Sequence, residues 1–172
     1  MADDALAQVR ALLARRNTLT LATLGPEGDP QAADLYYAET DGLTLYFVSV
    51  PGSRHALNIA RNPRVAVTIH ADSVLWRDIR GVQLEGTCAP VTGAERDGAW
   101  ARYITKFPFV LADAALPAPG TQSQVARALG KVSMYRITPR WLRWIDNAVG
   151  LGHNQEWVLV DGEWRTLADP DR

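Results

Sequence analysis

The spacing of apolar residues changes from a helical to a strand period near Arg16, and this change constrains the fold more than any other feature. Before Arg16, apolar residues recur at helical spacing behind Asp3 and Asp4, which predicts a capped amphipathic helix ending near Arg16. Beyond it, apolar and polar residues alternate in short runs bounded by turn-forming residues, as they do in strands. The runs predict strands at residues 18–24, 31–39, 43–50, 65–69, 81–89, 131–138, 141–145, 157–160 and 163–167.

Tight turns connect most of these strands. Asp41-Gly42 and Asp161-Gly162 each separate two alternating runs and are hairpin signals. The order of elements is not a regular β-α-β alternation, so a parallel sheet is disfavoured. The pattern favours a mainly β (α+β) fold, in which an antiparallel Greek-key sheet closes into a barrel with flanking helices.

Three further helices are predicted between the strands. Ser53 is a candidate N-cap for a helix that Asn62 ends, and Thr92–Glu95 matches a capping box that opens a helix to about residue 104. A short helix is predicted over residues 123–129. Residues 107–120 contain three prolines and predict an irregular flap or binding loop.

Length and composition indicate a single domain spanning residues 1–172. Lys and Arg number 18 and Asp and Glu 19, a formal net charge of −1 that argues against a dedicated nucleic-acid-binding protein. Cys88 is the only cysteine, so no intrachain disulfide can form, and we expect a cytoplasmic protein. No apolar run approaches the roughly 20 residues that span a bilayer, so we expect no membrane segment.

The common catalytic and nucleotide-binding motifs are absent. The chain has no G-x-G-x-x-G, no phosphate-binding P-loop and no G-x-S-x-G. Gly150-Leu151-Gly152 is only a weak match to a dinucleotide loop. His55, His70 and His153 lie far apart, so only folding could assemble a metal site from them, and we predict none. Cys88 lies on an apolar strand face and is interpreted as a small buried hydrophobe.

The junction between the third strand and the following helix carries the clearest chemical signal. Ser53, Arg54 and His55 stand where that helix begins, so a hydroxyl, a guanidinium and an imidazole surround unpaired backbone N–H groups. This combination suits a phosphate monoester, which Arg can grip through two oxygens. The alternative is that Ser53 only caps the helix and Arg54 is solvated.

Gly52-Ser53-Arg54-His55 is followed by Asn62-Pro63-Arg64-Val65. This order of strand, turn, Ser-Arg, helix, Asn-Pro and strand resembles the flavin-binding region of pyridoxamine 5′-phosphate oxidase-like, FMN-binding split-barrel proteins. Residues 17–89 fit the first five strands of that family, and residues 137–153 resemble a subgroup of short, poorly characterised members. The resemblance implies a split β-barrel that binds FMN.

The resemblance also implies which residues contact the cofactor. Ser53 and Arg54 hold the FMN phosphate, and His55 stands where the family usually has Lys. The remaining positions border the ring: Ala33, Asp34, Leu35, Val48, Ser49 and Gln83. The family often has Gln two residues earlier, where this chain has Gly81; both positions share a strand face.

The family pairs two chains with a flavin at each interface, so the resemblance implies a homodimer. Trp141 and Trp144 are candidates for the second chain's contribution to the flavin site, and the alternative is that both are core aromatics. No residue is an obvious acid or base; His70 and Asp34 could serve, with a structural role as the alternative.

Pyridoxamine 5′-phosphate oxidases resemble one another in an Arg-x-His pair near the C-terminus that grips the substrate. This chain contains no Arg-x-His, so we do not expect that substrate. The expectation is a flavin-dependent oxidoreductase acting on an unidentified small molecule or electron donor. The alternatives are a non-catalytic FMN carrier or sensor, and a barrel that binds haem or another flavin.

Overall fold

The computed structural model of the chain describes residues 2–111 and 130–167, which form three α-helices and eight strands. The elements are α1 (Ala2–Arg15), β1 (Thr18–Leu24), β2 (Pro30–Glu39), β3 (Leu45–Ser49), α2 (Arg54–Arg61), β4 (Arg64–His70), β5 (Arg80–Pro90), α3 (Gly93–Lys106), β6 (Ser133–Asp146), β7 (Asn154–Val160) and β8 (Glu163–Thr166), with a 3₁₀ turn at Trp76–Asp78.

The sheet closes into a barrel. Its strands follow the order β3-β2-β1-β4-β5-β6-β7-β8, and every neighbouring pair is antiparallel. The first strand in that order also pairs with the sixth, with Leu45 opposite Ile137 and Ser49 opposite Ser133. This closure makes a six-strand barrel, with β7 and β8 extending the sheet beyond it. The predicted antiparallel barrel with flanking helices is therefore confirmed.

The barrel core is built from alternate residues of each strand. On β5, for example, Val82, Leu84 and Cys88 are buried, whereas Gln83 and Glu85 face outward, as their spacing predicts. Helix α1 adds the apolar face that its helical spacing predicts. A second cluster forms where α3 covers the outside of the sheet, from Ala38, Val91, Ala99, Tyr103, Phe107 and Met134.

One partly buried ammonium group, that of Lys106, joins α1, β2 and α3. Lys106 Nζ donates to the backbone carbonyl of Leu13, 3.0 Å away, and pairs with the Glu39 carboxylate. The same nitrogen lies 4.2 Å from the centre of the Tyr37 ring, and the Tyr37 hydroxyl donates to the Leu13 carbonyl over 2.8 Å. Because a cation near a helix C-terminus interacts favourably with its carbonyls, this contact stabilises the end of α1.

The two strands predicted at residues 131–138 and 141–145 are a single strand, β6. Pro139 lies opposite Gly86, where the pairing of β5 with β6 shifts register. A proline lacks the N–H that a regular ladder requires, but a bulge accommodates it. Gly86 makes this possible, because a Cβ there would lie 2.2 Å from the Thr138 carbonyl oxygen.

The predicted capping box at Thr92–Glu95 is wrong. The Thr92 side chain makes no cap hydrogen bond. Glu95 instead accepts hydrogen bonds from Arg136, over 2.7 Å, and from the Tyr46 hydroxyl, over 3.2 Å. The predicted helix at residues 123–129 lies outside the described residues, as does most of the predicted loop at 107–120.

We expect Gly86→Ala to lower the free energy of unfolding by about 1–3 kcal/mol, because the added methyl group must displace backbone atoms. Gly98→Ala is the matched control: it lies inside α3, and a Cβ there meets no atom within 4 Å. The control should raise stability by about 0.4–1 kcal/mol. Urea unfolding measures both variants, and equal stabilities would contradict the close approach at the bulge.

Candidate functional site

Three polar side chains meet where β3 ends and α2 begins. The Ser49 and Ser53 hydroxyl oxygens are 3.0 Å apart, and His55 Nε2 lies 2.6 Å from the first and 3.0 Å from the second. A tight turn makes the meeting possible, since the Ser53 N–H donates to the Val50 carbonyl over 2.9 Å. We call these three residues the polar triangle.

The triangle stands at the positive end of α2. Ser53 is the N-cap, as predicted, and its hydroxyl accepts from the Ala56 N–H over 3.3 Å. Arg54, the first residue of α2, is exposed and has no ion-pair partner among residues 2–111 and 130–167. Both interpretations of this junction are therefore compatible with the structure. Ser53 caps the helix, and the Arg54 guanidinium remains available to an anion.

His55 is half-buried, and its ring packs at 62° against Phe47, with 6.3 Å between ring centres. Burial lowers the pKa of His55 below its usual range. The triangle therefore holds a neutral imidazole at neutral pH, where a lysine would hold a permanent cation.

A buried amide fixes the position of α2. The Asn58 side-chain nitrogen donates to the Thr23 hydroxyl over 3.0 Å and to the Gln31 side-chain oxygen over 2.9 Å. Asn58 is only 2% exposed, so losing these partners would leave a buried donor unpaired. The sequence analysis does not single out Asn58. The one signal in the sequence is a polar side chain on the face of α2 that also carries Ala56 and Ile59.

The three β2 residues predicted to border the ring do not share a face. Ala33 and Leu35 point inward, and Leu35 packs against the core. Asp34 points outward and accepts a hydrogen bond from the Thr20 hydroxyl over 2.6 Å. A planar ligand on the outer face of β2 would therefore contact the Asp34 side chain, whereas one on the inner face would contact Ala33 and Leu35.

The remaining predicted site residues divide between the surface and the core. Gln83 lies on the outer face of β5, and Trp141 lies on the outer face of β6, where its Nε1 donates to Glu156 over 3.0 Å. Val48 packs against the cluster beneath α3. Trp144 is 4% exposed and belongs to the barrel core.

Within the described ranges, no group of three His, Cys, Asp or Glu side chains is arranged to hold a metal ion. In the same ranges, no helix combines the length and apolar character of a membrane span. Cys88 is buried, and burial raises the pKa of its thiol to about 12, so it is not a nucleophile in this structure.

A six-strand antiparallel barrel with a capped helix meeting the end of β3 defines a split-barrel protein. The family model described as pyridoxamine 5′-phosphate oxidase matches residues 5–145, and the chain belongs to that family.

The chain is similar to other bacterial proteins in sequence and in fold. A UPF0306 protein of Enterobacter sp. (strain 638) is 29% identical over 159 residues, which cover 92% of this chain and 99% of that protein. A heme binding protein from Mycobacterium smegmatis superimposes with a TM-score of 0.69 at 24% identity over 90% of this chain and 57% of that one. A putative pyridoxamine 5′-phosphate oxidase from Listeria innocua gives 0.61 at 17% identity, over 82% and 98%. The two structures share the fold.

The lowered pKa of His55 predicts a pH dependence of stability. The neutral form is favoured in the folded state, so the unfolded chain binds more protons below about pH 6.5. Stability should fall as the pH drops through that value towards the folded pKa. In His55→Gln the fall should be shallower. Urea unfolding between about pH 8 and 5 measures it, and parallel curves for the two proteins would refute the prediction.

Proposed function

We propose that the chain binds FMN, with the phosphate at the polar triangle and the N-terminus of α2. The observation that carries the proposal is the convergence of Ser49, Ser53 and His55 within hydrogen-bond distance of one another. Each hydroxyl has one proton to donate, and these protons can turn to phosphate oxygens in place of their present partners.

The electrostatics of the site suit a dianion. The first N–H groups of α2 have no partner within the helix and carry partial positive charge. Arg54 adds a full positive charge at this junction, and its fork geometry matches two phosphate oxygens. Asn58 keeps the helix in register with β1 and β2, so these donors are positioned before the ligand arrives.

The isoalloxazine ring would lie on the outer face of the sheet, because the barrel interior is filled with side chains. An open sheet face covers one side of a planar ring and leaves the other in water. A homodimer, in which a second copy covers the ring, completes such a site. Trp141 on the outer face is the aromatic residue suited to that role, whereas Trp144 is committed to the core.

On this proposal the protein is a flavin-dependent oxidoreductase acting on a small molecule or electron donor. The bound flavin supplies the redox chemistry, and the chain binds and orients it. We do not propose pyridoxamine 5′-phosphate as the substrate, because the sequence contains no Arg-x-His pair.

The second candidate is a binding protein without turnover, carrying FMN, another flavin or haem. The observation that favours it is the fold likeness to a protein named for heme binding. The absorption spectrum of the purified protein, with mass analysis of any released ligand, separates haem from flavin.

We expect Arg54→Ala to weaken FMN binding by about 1.5–3 kcal/mol, the range for a hydrogen bond to a charged group. Binding of riboflavin, which lacks the phosphate, should be unchanged. Arg61→Ala is the matched control, because Arg61 is exposed at the other end of α2. Fluorescence titration of the ligand-free parent, Arg54→Ala and Arg61→Ala proteins with each ligand measures these affinities. Equal FMN affinities of the parent and Arg54→Ala would exclude the phosphate assignment.

Reduction kinetics distinguish the enzyme from the carrier. We expect NADH or NADPH to bleach the yellow colour of the FMN-loaded protein under anaerobic conditions, faster than free FMN is bleached at the same concentration. A stopped-flow trace at the visible flavin band measures the rate. Bleaching no faster than that of free FMN, with both donors, would support the carrier.

A further inference from the structure

The polar triangle contains one group whose charge depends on pH. His55 Nε2 lies 2.6 Å from the Ser49 hydroxyl oxygen and 3.0 Å from the Ser53 hydroxyl oxygen, so this nitrogen faces the place where an anion would meet both hydroxyls. Serine hydroxyls stay neutral at physiological pH, whereas an imidazole gains a full charge near pH 6.5. His55 is therefore the member of the triangle that can change the charge of the site.

In the ligand-free structure the surroundings of His55 favour its neutral form. The ring is half-buried and packs against Phe47, and this burial is the cause that lowers the pKa of His55. The groups in contact with Nε2 are hydroxyls, which carry no negative charge to stabilise an imidazolium. The resting triangle is therefore uncharged.

The strands that pack against α2 bring no free carboxylate to His55. Strands β1 and β3 have no charged residue at all. The carboxylates of β2 and β5 have partners elsewhere: Asp34 accepts from Thr20, Glu39 pairs with Lys106, and Glu85 pairs with Arg140. Protonation of His55 therefore depends on a negative charge that comes from outside the chain.

The other titratable groups around His55 are two cations and a phenol. Arg54 precedes it on α2, and Lys131 comes two residues before Ser133, the residue opposite Ser49. Both cations are exposed, so water and salt screen their effect on His55, and both attract an anion. From β6, the Tyr135 ring stacks on Phe47, and burial raises the pKa of Tyr135, which keeps its phenol neutral.

A phosphate dianion reverses the preference of His55. Phosphate oxygens accept hydrogen bonds, so each atom of the triangle that faces them has to donate a proton. The two hydroxyls supply two such protons, and Nε2 supplies the third. An opposite charge within about 4–6 Å favours the charged form of a titratable group, so the pKa of His55 rises when the dianion is present. The complex then holds a proton that the separate molecules do not.

We propose that the polar triangle binds the FMN phosphate together with a proton taken up by His55, which makes retention of the cofactor dependent on pH; the inference rests on the proposed function. Because the complex binds more protons than its separate components, a fall in pH favours binding and a rise in pH favours release. Above the pKa that His55 has in the complex, the triangle offers the phosphate neutral donors alone.

Fluorescence titration with FMN and with riboflavin between about pH 7 and 9 tests the inference. The phosphate group stays a dianion over this range, because its second pKa is about 6. Riboflavin corrects for any titration that affects the ring. The preference of the parent protein for FMN over riboflavin should fall roughly four- to tenfold across the range. A preference that stays constant would overturn the inference.

Three variants separate the proton from the hydrogen bond. His55→Gln keeps a polar side chain that cannot gain a charge, so its preference for FMN should be lower at neutral pH and independent of pH. His55→Lys is charged throughout the range, so its preference should stay high. His70→Gln removes an exposed histidine of β4 and is the matched control, with the full pH dependence of the parent. A His55→Gln preference that falls as steeply as that of the parent would overturn the role of His55.

Titration calorimetry of the parent protein counts the protons directly. Measurements at about pH 7.5 in Hepes and in Tris, which differ in ionisation enthalpy, should show that FMN binding takes up roughly half a proton or more. Riboflavin binding, and FMN binding to His55→Gln, should take up none. FMN binding that depends on Arg54 but takes up no proton would overturn this inference and leave the proposed function standing. No binding of FMN would overturn both.

Discussion

The geometry of the protein depends on β6, the strand that pairs with β3, β5 and β7. To reach three partners it must turn across the barrel, and the bulge between Gly86 and Pro139 provides that turn. The first half of β6 then closes the barrel on β3, next to Ser49. The position of the polar triangle therefore depends on Gly86 and Pro139, which let β6 pair with β3 in its first half and with β7 in its second half.

Features encoded by neighbouring residues were predictable from the sequence. Strand alternation, the Asp161-Gly162 turn and the Ser53 cap each depend on a few adjacent positions, and the structure has all of them. Features that depend on distant partners were not predictable. Glu95 suits a capping box locally, but Arg136, 41 residues away, binds its carboxylate. Asn58 likewise acquires its role only when Thr23 and Gln31 are folded beside it.

The candidate site shows the same division. Local spacing identified Ser53, Arg54 and His55, but not that Ser49 would complete the triangle through its hydroxyl. The family resemblance suggested Trp141 and Trp144 together as ring contacts, whereas residues three apart on one strand point to opposite faces, and the structure has Trp141 outward and Trp144 in the core. Which of the two is outward depends on the register of β6 beyond the bulge at Pro139.

Gly81 on β5 lies opposite His70 on β4. Because a methyl group at 81 would lie 3.1 Å from the His70 Cβ and 3.2 Å from the Ile69 carbonyl oxygen, any side chain there requires the two strands to shift by a few tenths of an ångström. The spacing of β4 and β5 at this place therefore depends on a residue that contributes no side chain.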